Sequence, residues 1–147
     1  RQMMAIRENQ STTDLSGGKM AKSMTLRGDV ITYCLKLKEV YEDYPFHDPN
    51  WCVIRHKENK KVFAWIFDKD GYVWMNVKCD PQWRDFWRET FASVVPAYHL
   101  NKTWWNSIIL DGTVPEEEIR RMIGESYDLT KPKRKRKEQL CLERKRG

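Results

Sequence analysis

Long hydrophobic runs are missing from this sequence. Nowhere do about eighteen apolar residues follow one another, which excludes a helical membrane span. Residues 1–23 lack the apolar core of a secretory signal. Cys-x-x-Cys is absent as well: the four cysteines stand at 34, 52, 79 and 141, a spacing that suits neither a zinc finger nor a redox dithiol. Reduced thiols in a cytoplasmic protein are the simplest reading. Glycine is scarce, and the seven present are too scattered to cradle a phosphate. No nucleophile and base stand in a spacing that demands catalysis. The chain is therefore expected to be a non-enzymatic binding protein with no cofactor, no metal and no membrane partner.

A charge excess is also lacking where the core lies. Residues 24–130 hold 14 basic and 17 acidic groups, whereas residues 131–147 hold nine Lys/Arg against two Glu. The net charge of +6 thus belongs to the ends. A polyanionic partner is implied for the tail rather than for the body.

Three segments follow. Residues 1–23 are polar, carry a Ser-Gly-Gly signal, and read as a flexible leader or expression remnant, with Met24 a candidate natural start. Residues 24–130 form one domain, and residues 131–147 a basic tail. The 40% of hydrophobic residues is enough for a real core.

Within the domain, Leu26, Val30, Tyr33, Cys34 and Leu37 recur at helical spacing, predicting a helix over 25–38 capped by Thr25. "EDYPFHDPN" reads as an ordered loop. "WCVIRH", "KVFAWIFD" and "YVWMNVKC" are strand-like, the last two flanking a "DKDG" hairpin loop. Pairing Phe67 with Tyr72 puts Val62, Ala64 and Ile66 on one face. Lys61, Phe63, Trp65 and Phe67, with Tyr72, Trp74, Asn76 and Lys78, fall on the other. Asp80-Pro81 opens a helix over 81–92, with a Trp83, Phe86, Trp87, Phe91 stripe. "VVPAYHLN" and "TWWNSIIL" are two more strands. Thr113 and Glu116 suggest a capping box for a last helix ending near Leu129. The order is α-β-β-β-α-β-β-α. Its class is α+β: two layers, a mostly antiparallel sheet with helices on one face.

These stretches resemble the MmcQ/YjbR family. The resemblance rests on "EDYPF" (42–46), "KKVFAWIF" (60–67), "VKCDP" (77–81), "PAYHLNK" (96–102), "WN" (105–106), "LDGTVPEEEI" (110–119) and "SYDL" (126–129), in the family's order. It implies a CyaY-like (frataxin-like) sandwich and, through two hairpin wings, a DNA-binding label; it implies no catalytic activity. The chain departs from the pattern in "KLKEVYEDY", which lacks the Pro-Gly turn often found after the first helix. Thr103 and Trp104 stand where a basic residue and a histidine are common.

Two sites compete. Nucleic acid binding of low sequence specificity would use Phe63, Trp65, Phe67, Tyr72 and Trp74 as a stacking face. Lys57, Lys60, Lys61, Lys69 and Lys78, with Lys133, Arg134, Lys135, Arg136 and Lys137 of the tail, would meet phosphates. The alternative is a small-molecule or protein-partner module around Tyr98, His99, Asn101, Lys102, Trp104, Trp105 and Asn106. For Asn101 and Asn106, satisfying backbone groups competes with ligand contact. Of Trp104 and Trp105, alternation expects one in the core and the other on the open face. His47, His56, His99, Cys34, Cys52 and Cys79 show no metal-site spacing.

Overall fold

The structure is a computed structural model and describes residues 24–133. Its elements are α1 (Arg27–Leu35), β1 (Val40–Asp43), β2 (Cys52–His56), β3 (Val62–Lys69), β4 (Tyr72–Lys78), α2 (Pro81–Thr90), β5 (Val94–Pro96), β6 (Trp105–Leu110) and α3 (Glu116–Thr130). The six strands form one sheet in the order β1-β2-β3-β4-β6-β5, every neighbouring pair antiparallel. The strand β1 lies where a loop was expected. Among the described residues no helix is long and apolar enough to cross a membrane.

One face of the sheet carries the main core. Val30 and Cys34 from α1, Trp87 from α2, and Ile119, Met122 and Ile123 from α3 pack on Ile54, Ala64, Ile66, Met75, Val77 and Ile108. All three helices cover this face, giving the expected two layers. Asp80 caps α2 by accepting the Gln82 N–H at 2.9 Å, with Pro81 at the first helical position. The other two caps differ from expectation. α1 begins after Leu26 and α3 after Pro115, neither with a side-chain cap. The Thr113 hydroxyl instead donates to Asp111 at 2.7 Å. The apolar stripe of α2 is only partly covered: Trp87 is buried, but Trp83 and Phe86 are 53% and 48% exposed, beside a groove against α3.

The β3–β4 hairpin is tighter than the sequence suggested. Lys69 pairs with Tyr72, and Phe67 with Trp74. The loop is then only Asp70-Gly71, both with positive φ (53° and 83°), as a two-residue hairpin turn matching the strand twist requires. A shift of two residues leaves each side chain on its expected face, because strand alternation has period two. Phe63 and Val62 are the exceptions, Val62 leaving the core face to stand opposite Arg55. Ile54 pairs with Ala64 and Arg55 with Val62, so Phe63 is the extra residue of a bulge. It turns to the helix side, fully buried, with His56 at 5.1 Å and Tyr127 at 5.3 Å between ring centroids. Ser126 of α3 serves the bulge: its hydroxyl donates to the Phe63 carbonyl at 2.6 Å and accepts the Lys78 N–H at 2.8 Å.

Candidate functional site: an aromatic cleft on the open sheet face

The face away from the helices is neither bare nor covered by a second layer. Two loops fold over it. The first, residues 44–51, brings Phe46 and Trp51. The second, residues 97–104, brings Tyr98 and His99. Trp51 stacks on Phe67 with centroids 4.3 Å apart, and Tyr98 lies 5.7 Å from Phe67 and 6.2 Å from Trp74. Phe67 is consequently 1% exposed. The five-ring stacking platform expected from the sequence is therefore not a continuous surface. Phe63 is on the opposite face, Phe67 is roofed over, Trp65 and Trp74 are half-buried, and of the five only Tyr72 is exposed.

Arg27 fastens the first loop. Its guanidinium donates to the carbonyls of Pro49 (2.7 Å) and Asn50 (2.8 Å) and pairs with Asp68 at 3.1 Å. Asn50 completes the clasp, accepting the Asp68 N–H at 2.8 Å and donating to the Asp68 carbonyl at 3.3 Å. Asn76 and Ser107 hold the second loop from beneath. The Asn76 amide donates to the Tyr98 carbonyl at 2.9 Å, the Tyr98 N–H donates to Ser107 Oγ at 2.9 Å, and the Ser107 hydroxyl donates to Asn76 Oδ1. From α2, Arg88 donates to the Lys102 carbonyl at 2.6 Å and Arg84 to that of Thr103 at 3.2 Å. None of these anchors was singled out in the sequence. Their partners are mostly main-chain carbonyls, which leave no residue-type signal.

Between the two loops lies a cleft of about 410 Å³. Phe46, Asp48 and Trp51 line one side, Tyr98, His99 and Leu100 the other, with Trp65 and Asn76 from the sheet. This volume is at the lower end of small-molecule sites, which run from about 300 Å³ upward.

The ligand residues expected from sequence divide. Tyr98 and His99 reach the cleft. Asn101 does not: its side chain accepts the N–H groups of Thr103 (2.8 Å) and Trp104 (3.2 Å), a local turn bond. Asn106 is buried, its Oδ1 accepting from Arg88 at 2.7 Å. Lys102 is exposed outside the cleft lining. Neither tryptophan of the pair enters the main core. Trp105 is half-buried and pairs with Lys78 across β4 and β6. Trp104 is 42% exposed, with the Lys78 amine 5.4 Å from its ring centroid. The expected phosphate-contacting lysines also divide. Lys57, Lys60 and Lys61 are exposed around the β2–β3 turn. At the far end of β3, Lys69 lies over Trp74 (4.8 Å) and Tyr98 (5.0 Å) and pairs with Asp70 at 2.7 Å. Lys133 is exposed beyond α3, whereas Arg134, Lys135, Arg136 and Lys137 lie outside the described residues.

Among the described residues no three His, Cys, Asp or Glu side chains converge as a metal site. Cys34, Cys52 and Cys79 are buried and free, and burial pushes Cys34 up to about 12 and Cys79 up to about 11.

A six-stranded antiparallel sheet with three helices behind and a loop-walled aromatic cleft in front defines a small α+β protein. Residues 35–129 match the family model described as YjbR, and the chain belongs to that family. It is 34% identical to YyaQ of Bacillus subtilis (strain 168) over 119 residues, 74% of this chain and 100% of that protein. It is 27% identical to YjbR of Escherichia coli (strain K12), covering 67% of this chain and 81% of that one. Two solved structures share the fold at TM-score 0.65. A Pseudomonas syringae protein (27% identity) is matched over 72% of this chain and 99% of its own. A Deinococcus radiodurans protein with a DUF419 domain (30% identity) is matched over 72% and 78%.

Proposed function

We propose that this protein binds a small organic ligand in the cleft between the 44–51 and 97–104 loops. The observation that carries this is the cleft itself: ring faces from both loops meet half-buried Trp65 over a polar floor at Asn76. Both walls are tied down by side chains remote in sequence, so the concavity is built into the fold and needs little reorganisation on binding. The test is a titration of the protein with a panel of small aromatic and cationic compounds, followed by intrinsic tryptophan fluorescence. Trp51 and Trp65 line the cleft and report occupancy. A saturable response that changes little between about 50 and about 200 mM salt is expected. A panel without any saturable response rejects the proposal.

Nucleic acid binding stands as a second reading, carried by the ends of the chain rather than the sheet face. Its support is the cluster of nine basic residues in 131–147, together with the exposed Lys57, Lys60 and Lys61. Binding of that kind weakens steeply with salt and disappears when 131–147 is removed.

The same proposal takes the protein as non-enzymatic and cytoplasmic. A buried Cys79 thiol with so high a pKa is a poor nucleophile, and three free buried cysteines suit a reducing compartment. The finer description of the fold as CyaY-like is supported by the expected layering, with helices on one face of an antiparallel sheet.

A further inference from the structure

The geometry points to an organic cation, of the methylated or quaternary ammonium class, as the ligand of this cleft. This rests on the ligand-binding proposal above and narrows it. The first support is the charge of the lining. Of the eight residues that form it, Asp48 is a carboxylate and none is Lys or Arg. An anionic ligand such as a free phosphate would find no fixed positive partner there. A cation finds Asp48, whose Oδ1 accepts only the Asn50 N–H at 3.0 Å among the bonds seen, and whose side chain is exposed at the rim.

The second support is the set of ring faces. Phe46, Trp51 and Trp65 lie 6.1–6.4 Å apart, with Trp51 at 88° and 84° to the other two. Rings set at right angles present faces in different directions around one corner. Each face carries the negative end of a ring quadrupole, and such faces attract weakly hydrated ammonium groups. Phe46 is 56% exposed, so its ring is not consumed by internal packing. A neutral aromatic guest would gain contact area here but nothing from Asp48.

The third support is what the neighbouring rings already do. The Lys69 amine sits 4.8 Å from the Trp74 centroid and 5.0 Å from that of Tyr98, and the Lys78 amine 5.4 Å from Trp104. Rings on this side of the molecule thus already take ammonium groups. Phe46, Trp51 and Trp65 have no such lysine or arginine over them among the cation–ring contacts seen. The charge of Lys69 is offset by its ion pair with Asp70 and does not fill the cleft.

The experiment compares choline with 3,3-dimethyl-1-butanol, its neutral isostere, on the full chain by tryptophan fluorescence and calorimetry. Shape and size are matched, so the difference isolates the charge. Choline is expected to bind at least about tenfold more tightly. Asp48→Asn, at an exposed position outside the main core, is expected to cut that preference severalfold while leaving the fold intact by circular dichroism. Trp65→Leu should remove binding of both compounds. Equal affinity of the two, or saturable binding by neutral aromatic panel members alone, overturns the cation assignment and leaves the cleft as a ligand site. No saturable binding by any compound overturns both proposals.

Discussion

The Asn76 amide donates to the main-chain carbonyl of Tyr98 at 2.9 Å, tying a central strand to the loop that forms one wall of the cleft. The tie is double, because Ser107 stands between the Asn76 carbonyl and the Tyr98 N–H. Both side chains are buried. Asn76 and Ser107 face each other across β4 and β6, and the sheet register alone brings them together.

Asn76→Ala is expected to destabilise the protein by about 2–3 kcal/mol, because it strands the Tyr98 carbonyl and leaves the Ser107 hydroxyl without its acceptor. Asn76→Asp keeps the acceptor for Ser107 but turns a carboxylate toward the Tyr98 carbonyl, and should be worse above the carboxylate's pKa. Urea denaturation gives both numbers. Ligand affinity should fall in each variant, even under conditions where the protein remains folded, because the Tyr98–Leu100 wall loses its support.

Ser126→Ala tests the bulge. Removing that hydroxyl leaves the Phe63 carbonyl and the Lys78 N–H without the partner they now share. A loss of about 2–4 kcal/mol is expected, large for deletion of one oxygen. Ser126→Thr retains the hydroxyl but adds a methyl in a fully buried position, and should recover only part of the loss. If alanine costs under about 0.5 kcal/mol, the bulge carries its own hydrogen bonds and the role given to Ser126 is wrong.

The helices, the four long strands and the Asp80-Pro81 start were legible because each is written in local periodicity or in a cap. The strand β1 was not. "VYED" is short, half charged and followed by Pro45, and it is a strand only because β2 offers it an edge. Phe63 was misplaced for a related reason: alternation assigns faces only while pairing stays regular, and one inserted residue reverses the assignment. Of the cleft, Tyr98 and His99 were visible as an unusual polar-aromatic stretch. The partners that make it a cleft, Phe46, Asp48 and Trp51, sit about fifty residues away, the first two in a stretch that reads only as loop and Trp51 at the head of a strand-like run that in the structure begins one residue later. What joins the two is the Arg27 clasp on one side and the Asn76–Ser107 pair on the other.

Glu39 offers a test of stored backbone strain. It follows α1 with φ 56°, in the left-handed region that favours glycine, and the Lys57 N–H donating to its carbonyl at 2.8 Å holds it there. A non-glycine residue in that region costs about 1–2 kcal/mol. Glu39→Gly removes the strain but adds freedom to the unfolded chain, worth roughly 0.5–1 kcal/mol in the other direction. The net expectation is a gain of about 0.5–1 kcal/mol, raising Tm by a few degrees. Glu39→Ala should give no such gain, and equal Tm values for the two variants would place the strain elsewhere.

His56 should make stability depend on pH. Its Nε2 lies 2.8 Å from Thr130 Oγ1, whose own proton goes to the Ser126 carbonyl at 2.8 Å. With that proton engaged, the Thr130 oxygen is free to accept from His56 Nε2–H. Burial pushes the His56 pKa below its usual value, against a lift from the Tyr127 main chain and with a further push from the Lys131 charge. In the unfolded chain the same group titrates near about 6.5. Between the lowered folded value and that figure the unfolded chain binds more protons than the folded one. Stability from this group is thus fully present above about 6.5 and is lost as pH falls toward the folded value. Urea midpoints measured from about pH 7.5 down to about pH 5.5 should fall in the native protein. His56→Gln can still donate to Thr130 but cannot titrate, so its midpoints should fall less over the same range. The difference between the two curves isolates His56 from the carboxylates and the other histidines, and parallel curves would mean that His56 does not titrate in that window.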